Sequence, residues 1–468
     1  MKFLFIITTA FFILTSSTPY AEEQNQLPSL EKKTDERALT TPAYIVGQYW
    51  FRQLTGSPSY INFPPAYNYL RTTLGRLLPH TNLVNKRIEL GLLNSSNSNA
   101  FVLPGNHLFL YSDIINLANT EDKLLALLGH EIAHLDLDHY ERQKQNDQQE
   151  RNKAILTMGA GIAAMIAGAD VDAASALWMG GAANNAENSL AYNRDQEKEA
   201  DRIARYYLAK ADIPEAAMNQ LFLSFFRESI GTQQVEYLST HPIAKNRVSD
   251  SFNVTESTSI LRQNQSNEFN YFKATLITYR ALLTDAPVQY IENRIFDKQL
   301  KHYSHILRLI LTDKDIEADW IEQLDESQSF EAYLKATVLL SQNNTEQGIQ
   351  LVNRKLSLDP ENTQFKLFKS QFNQTKPSIR YDSNLFEYEK RQLLDAKIVL
   401  AEIQRNLPLS LSLNALKKFN YGDGSQSIST LKKALSLAEN KDKIEIEDIT
   451  NHVKNILDRQ KELNLPVR

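Results

Sequence analysis

Residues 332–362 (AYLKATVLLSQNNTEQGIQLVNRKLSLDPEN) can be laid on residues 411–440 (LSLNALKKFNYGDGSQSISTLKKALSLAEN), with Ala336 on Ala415, Ile349 on Ile428, Leu356 on Leu435 and Leu358 on Leu437. Each copy reads as a helix, a polar turn and a second helix. Asp359-Pro360 closes the first copy, where proline stops one helix or begins the next. A unit of this kind cannot bury its apolar face alone and has to stack on neighbours. The sequence from about residue 266 onward is therefore expected to be all-α, with a concave face suited to extended chains if the units stack as an array. An irregular helical bundle is the other reading of the same pattern. Composition agrees: of fifteen glycines only Gly348, Gly422 and Gly424 lie there. The Ser/Thr/Asn/Gln-rich stretch 251–268 marks the boundary with a mixed region that holds the strand-like segments and the densest histidines.

Charge and cysteine content narrow the function classes. With 51 Lys+Arg against 56 Asp+Glu in 468 residues, the net charge is -5. A chain so nearly balanced has no global field for a polyanion, so no nucleic-acid partner is expected. There are no cysteines, which excludes disulfides, thiol nucleophiles, iron–sulfur sites and a lipidated cysteine anchor. Any metal must be held by His, Asp or Glu. The start reads as an export signal: Met1-Lys2, an apolar run from Phe3 to Leu14, then small and turn-prone residues to Ala21. Residues 1–21 are taken as a signal peptide, 22–40 as a polar N-terminal arm, and a bacterial periplasm as the compartment. The run Ile155–Ala169 and the stretch beyond it carry five glycines and three of the five methionines. Fifteen apolar residues are too few for a straight span. A helical pair packed by small residues is the plainer reading, and a membrane-touching or gating helix the sharper one.

The chemistry concentrates in LALLGHEIAHLDLDH. Periodicity makes it a helix, with Thr120 as N-cap before Glu121 and Asp122. His130 and His134 are four apart, so both imidazoles leave one face a turn apart, close enough to share one Zn2+. Glu131 points off at about 100° and can act as general base on a water beside the metal without ligating it. Chance would produce this spacing about 0.01 times in a chain with so few histidines. Leu124, Leu125, Leu127, Leu128, Ile132 and Ala133 make the helix a buried one, where two histidines and a glutamate would be costly without a metal. A third ligand is needed. In Arg194–Arg202, Glu197 and Asp201 share a helix face while Glu199 points elsewhere. One carboxylate can ligate and the other can hold a ligand histidine's second nitrogen; a solvated helix face is the competing reading.

HEIAH followed about sixty residues later by Glu197-Lys198-Glu199-Ala200-Asp201, an E-x-x-A-D pattern, resembles the M48 family of zinc metalloproteases. Asn99-Ala100-Phe101-Val102-Leu103-Pro104-Gly105 resembles that family's "NAFALPGG" strand, and Thr240-His241-Pro242 with Arg247 its "HPxxxxR" motif. Asn106 stands in place of the second glycine, and Tyr111-Ser112-Asp113 in place of the usual Gly-Leu. The resemblance implies Glu197 as third metal ligand, Asp201 and Arg247 as residues behind the ligands or orienting groups at the site, and His241 as a candidate fourth ligand or switch. On the residues alone, His241 could equally start a helix before Pro242. The helical units resemble tetratricopeptide repeats, though the usual Trp, Gly and Tyr positions are mostly absent. Signal peptide, M48 domain and helical repeats together resemble the periplasmic BepA-like branch of the family.

Phe101–Tyr111, broken at Pro104-Gly105, reads as a short hairpin whose edge strand could pair with an extended substrate. His107 and His139 lack a partner at ligand spacing, and His80, His302, His305 and His452 read as structural or surface residues. The expected fold is mainly α (α+β): a zincin-type metalloprotease domain with a small sheet at 41–255, then an all-α tetratricopeptide-like domain at 266–468. The expected activity is zinc-dependent endopeptidase cleavage of misfolded or misassembled envelope proteins, with one Zn2+ per chain, Glu131 as catalytic base, and His130, His134 and Glu197 as ligands. The resemblance adds the outer-membrane β-barrel assembly machinery as a candidate partner and leaves room for peripheral membrane association. The competing class is a periplasmic chaperone or assembly adaptor with a latent zinc site, and an aminopeptidase is a weaker third.

Overall fold

The computed structural model describes residues 42–139, 194–230, 237–238, 241, 265–379 and 385–465. The expected signal peptide and arm, the segment 155–183 and Arg247 lie outside the described residues. Two helices open the described chain, α1 (Pro42–Thr55) and α2 (Pro64–Leu74). Three strands follow: β1 (Glu89–Leu93), β2 (Ala100–Leu103) and β3 (His107–Tyr111). Their order is β1-β3-β2, with β1 parallel and β2 antiparallel to β3. The expected hairpin is β2–β3, and β2 lies at one edge of the sheet, with β1 at the other.

The turn of that hairpin explains the departure from two glycines. Gly105 and Asn106 both sit in the left-handed region, at φ 76° and 63°. Asparagine is among the few residues with a Cβ that tolerate it, and the Asn106 amide is held by the carbonyl of Asn85 at 2.7 Å. Every residue of the three strands is buried, because α1 covers one face, with Trp50, Phe51 and Leu54 packed on Phe101, Phe109 and Tyr111.

Helix α3 (Glu121–Asp136) begins at the expected cap, where the Thr120 hydroxyl accepts from Lys123 N–H and Glu121 and Asp122 occupy the first turn. It is buried on all sides, between β2, α4 (Arg194–Lys210) and α5 (Ala216–Ser229). Its C-terminal turn is pinned to α4 by the Tyr207 hydroxyl on Asp136.

The rest is helical: α6 (Asn267–Leu283), α7 (Gln289–Glu292), α8 (Lys298–Leu311), α9 (Ala318–Glu322), α10 (Ser329–Ser341), α11 (Thr345–Leu358), α12 (Thr363–Phe372), α13 (Glu387–Ile403), α14 (Leu407–Asn420), α15 (Gly424–Leu437) and α16 (Asn440–Glu462). From α10 onward each helix packs on the next, and the two sequence copies are α10–α11 and α14–α15. Equivalent positions share their environment. Ala336 and Ala415 are fully buried, Leu358 and Leu437 are both exposed, and Asn344 and Asp423 both cap the second helix of their hairpin.

The stack folds back onto the α+β part. Arg391 of α13 donates to the Thr55 carbonyl at the end of α1 and to the Asn420 carbonyl at 2.6 Å. Tyr388 donates to Asn68 at 2.6 Å, and Leu465 packs in the core beneath α1.

Candidate metal centre

His130 and His134 leave the same face of α3, and their Nε2 atoms lie 3.0 Å apart. Helix α4 brings Glu197 opposite, its Oε2 3.4 Å from His130 Nε2 and its Oε1 3.4 Å from His134 Nε2. His241 completes the group, with Nδ1 3.1 Å from Glu197 Oε1 and 3.4 Å from His130 Nε2. All four side chains are buried. Four ligands at tetrahedral corners around an ion with bonds of ~2.0–2.1 Å stand about 3.3–3.4 Å from one another. Five of the separations, at 3.0–3.4 Å, are near that edge length, with Glu197 facing the two α3 histidines through different oxygens, and one ligand atom from each of the four residues lies within 4.8 Å of the others. Two imidazoles, a carboxylate and a third imidazole are also the donors that zinc accepts. The cluster is capable of holding a metal ion.

The protein charges respond to this crowding. For His130, burial opposes the imidazolium, but hydrogen bonds and charges from Asp201 and Glu197 outweigh it and push the group up to about 10. His134 is driven well below the usual histidine range by burial. Burial also raises Glu131, against the opposing pull of His241 and His130. For Glu197 burial works upward, yet His241 and the hydrogen bonds from three histidines hold it well below the carboxylate range.

Around the four corners, His130 Nδ1 faces Asp201 Oδ1 at 3.0 Å, so the two α4 carboxylates expected at the site divide between facing the cluster and facing the far nitrogen of a histidine. Glu131 Oε1 accepts from the Tyr237 hydroxyl at 3.2 Å and lies 3.6 Å from His241 Nε2. Three residues here escaped the sequence reading. Tyr237 carries no motif. His139, expected to lack a partner, has its Nδ1 2.9 Å from His134 Nδ1, and Glu199, expected to point elsewhere, has Oε2 3.2 Å from His139 Nε2. The signal is the five-residue step from His134: α3 stops at Asp136, and Asp138 at φ 50° turns the chain back. His107 is structural, bridging Gln48 at 2.9 Å and the Pro104 carbonyl at 2.8 Å.

The model of Peptidase family M48 matches residues 65–251. That stretch is similar to the M48 peptidases. It contains α3, α4 and the whole His/Glu cluster. The beta-barrel assembly-enhancing protease of Escherichia coli (strain K12) is 25% identical over 305 residues, covering 64% of this chain and 62% of that protein. The putative beta-barrel assembly-enhancing protease of Vibrio cholerae is 29% identical over 48% of this chain and 46% of its own. The human mitochondrial metalloendopeptidase OMA1 is 32% identical over 32% of this chain and 29% of its own. This chain thus matches less than two thirds of the length of these curated relatives. No described helix is long and apolar enough to cross a membrane.

Proposed function

We propose that this chain is an exported zinc-dependent endopeptidase acting on misfolded or misassembled envelope proteins in a periplasm. The observation that carries the reading is the cluster itself: two histidines one turn apart on a buried helix, a carboxylate across from them, and Glu131 beside them but outside the ligand corners. His130, His134 and Glu197 would hold the ion, which when bound supplies Lewis acidity toward a scissile carbonyl and lowers the pKa of water. Glu131 takes a proton from the attacking water and passes it to the leaving amine. Tyr237 occupies its Oε1, and Oε2 has no hydrogen-bond partner among the described residues, so Oε2 is the oxygen offered to substrate water. Burial raises this carboxyl, which suits a group that must first accept and then release a proton.

The same geometry supports latency. His241 Nδ1 stands at the corner that water would need. Tyr237 also meets the chain just before β2: the Asn99 carbonyl accepts from Tyr111 N–H, and the Ser98 carbonyl, one residue earlier, accepts from Tyr237 N–H at 3.1 Å. An extended substrate adding to β2 would compete with that contact. The names of the beta-barrel assembly-enhancing relatives support outer-membrane protein quality control as the setting and the assembly machinery as a partner. The tetratricopeptide-like stack would present client chains. The closed corner also favours the adaptor reading, in which binding is the main task.

Digestion of an unstructured protein by the purified full chain, wild type against Glu131→Gln at matched zinc content, tests this. Chelator-sensitive cleavage by wild type alone is the expected result. Zinc-loaded protein that never cleaves, even with His241→Ala, would leave the adaptor reading. A chain that takes up no zinc would end the metal reading.

A further inference from the structure

We infer that His139 and Glu199 form a relay that fixes the tautomer and orientation of His134 from behind, making both of them positioning residues for the metal. The inference rests on the metal reading above. His134 turns Nε2 to the cluster and Nδ1 away from it, toward His139 Nδ1 at 2.9 Å. A neutral imidazole has one proton. A ligating Nε2 must offer its lone pair, so the proton sits on Nδ1 and is donated to His139. His139 Nδ1 must then accept, which puts its own proton on Nε2, facing Glu199 Oε2 at 3.2 Å. Every position in the relay is determined by the first, and it ends on a carboxylate that can only accept.

The surroundings hold this arrangement in place. His139 is fully buried, its ring 5.0 Å from that of His134 and tilted 69° to it. The Gln196 side chain donates to the His139 carbonyl at 3.1 Å, tying its backbone to α4. Along α4, Asp201 lies about 40° round from Glu197 and reaches His130 directly, whereas Glu199 lies about 200° round. It needs a bridging ring to serve the second histidine, and His139 is that ring. Helix α4 thereby supplies one ligand and the anchors of both histidine ligands. Anchors of this kind orient a ligand and raise its basicity, and their loss costs about 10–100-fold in metal affinity.

The test is zinc affinity of the full chain, measured by competition with a chromogenic chelator, with the melting temperature of the metal-free protein as a check on folding. His139→Phe keeps a ring but removes the acceptor, and should weaken zinc about 10–100-fold and alter the visible spectrum of the cobalt-loaded protein. His139→Asn, which places a carbonyl oxygen near the Nδ1 position, should recover part of the loss. Glu199→Ala should weaken zinc in the wild-type background and add nothing in the His139→Phe background, since it acts through that ring. Wild-type affinity in His139→Phe would overturn the relay. A Glu199→Ala loss of equal size in both backgrounds would remove Glu199 from it. If His139→Phe does not fold, His139→Asn and Glu199→Ala carry the comparison, and wild-type affinity in both overturns the relay. A wild-type chain that binds no zinc would overturn the metal reading, and this inference with it.

Discussion

The Tyr237 ring is stacked on His241, with centroids 4.4 Å apart and planes 19° from parallel, and the same tyrosine donates its hydroxyl to Glu131. Phe225 of α5 backs the stack from the other side at 4.5 Å, and His241 N–H closes a helical turn on the Tyr237 carbonyl at 2.8 Å. The proposed base and the residue at the fourth corner are thus held by one aromatic side chain. Moving that turn would release both together.

His241→Ala should therefore raise endopeptidase activity by about tenfold or more, the size of effect that freeing a reaction site from a competing internal group can produce. Cleavage of a peptide blocked at its N-terminus is the measurement, and it also separates endopeptidase from aminopeptidase action. Unchanged or lower activity at full zinc occupancy would count against a plug.

The stack makes a finer distinction. Tyr237→Phe retains the rings and loses only the hydroxyl, so it should remain latent. Tyr237→Leu loses the stacking, worth about 0.5–1.5 kcal/mol beyond the area buried, and should raise basal cleavage by a few fold. Equal activity in the two variants would show that stacking does not hold His241.

Metal removal should destabilise the chain. Three histidines and the Glu197 carboxylate meet in a buried cluster, and an ion that binds only the folded state at a thousand times its dissociation constant adds ~4 kcal/mol. Calorimetry before and after chelation should show a lower melting temperature that zinc restores. A melting curve indifferent to chelator and to added zinc would argue against occupancy.

Acid should loosen the junction between the α+β part and the helical stack. Burial works to raise Glu387, but Lys390, 2.8 Å away, together with Arg391 and Arg52, outweighs it and lowers the group from 4.5 to about 2. A carboxyl whose folded value lies below its unfolded one stabilises fully above the unfolded value, and that stabilisation is lost as pH falls through the folded one. The contribution should be whole above about pH 4.5 and vanish by about pH 2. Glu387→Gln should cost ~2 kcal/mol at neutral pH, as hydrogen bonds to charged groups do. Melting curves of the two proteins should converge toward pH 2; a constant gap would contradict the assignment.

Much of the candidate site was legible because it rests on local rules. The four-residue step of His130 and His134, the off-face Glu131 and the Thr120 cap are properties of one helix, and Glu197 and Asp201 of another. Helical hairpins at 332–362 and 411–440 were equally readable, since a periodic apolar face specifies its own secondary structure. His139, Glu199 and Tyr237 were not. His139 lies beyond the end of α3, where helical spacing stops predicting direction, and Asp138 bends the chain by a left-handed residue. Glu199 does point away from the Glu197–Asp201 face, but no spacing rule shows that His139 stands beside it there.

What the sequence determined by itself was the inventory and the local geometry: which side chains can ligate, on which helix faces, and where the chain becomes a stack of helices. Only the tertiary structure decided the meeting of α3, α4 and the turn carrying Tyr237 and His241, separated by about 60 to 110 residues. It likewise decided the docking of Arg391 on Thr55, more than 300 residues away. Spacing within a helix follows from its 3.6-residue turn. The direction from which a distant segment arrives follows from how buried surfaces fit together, and that is a property of the packed core as a whole.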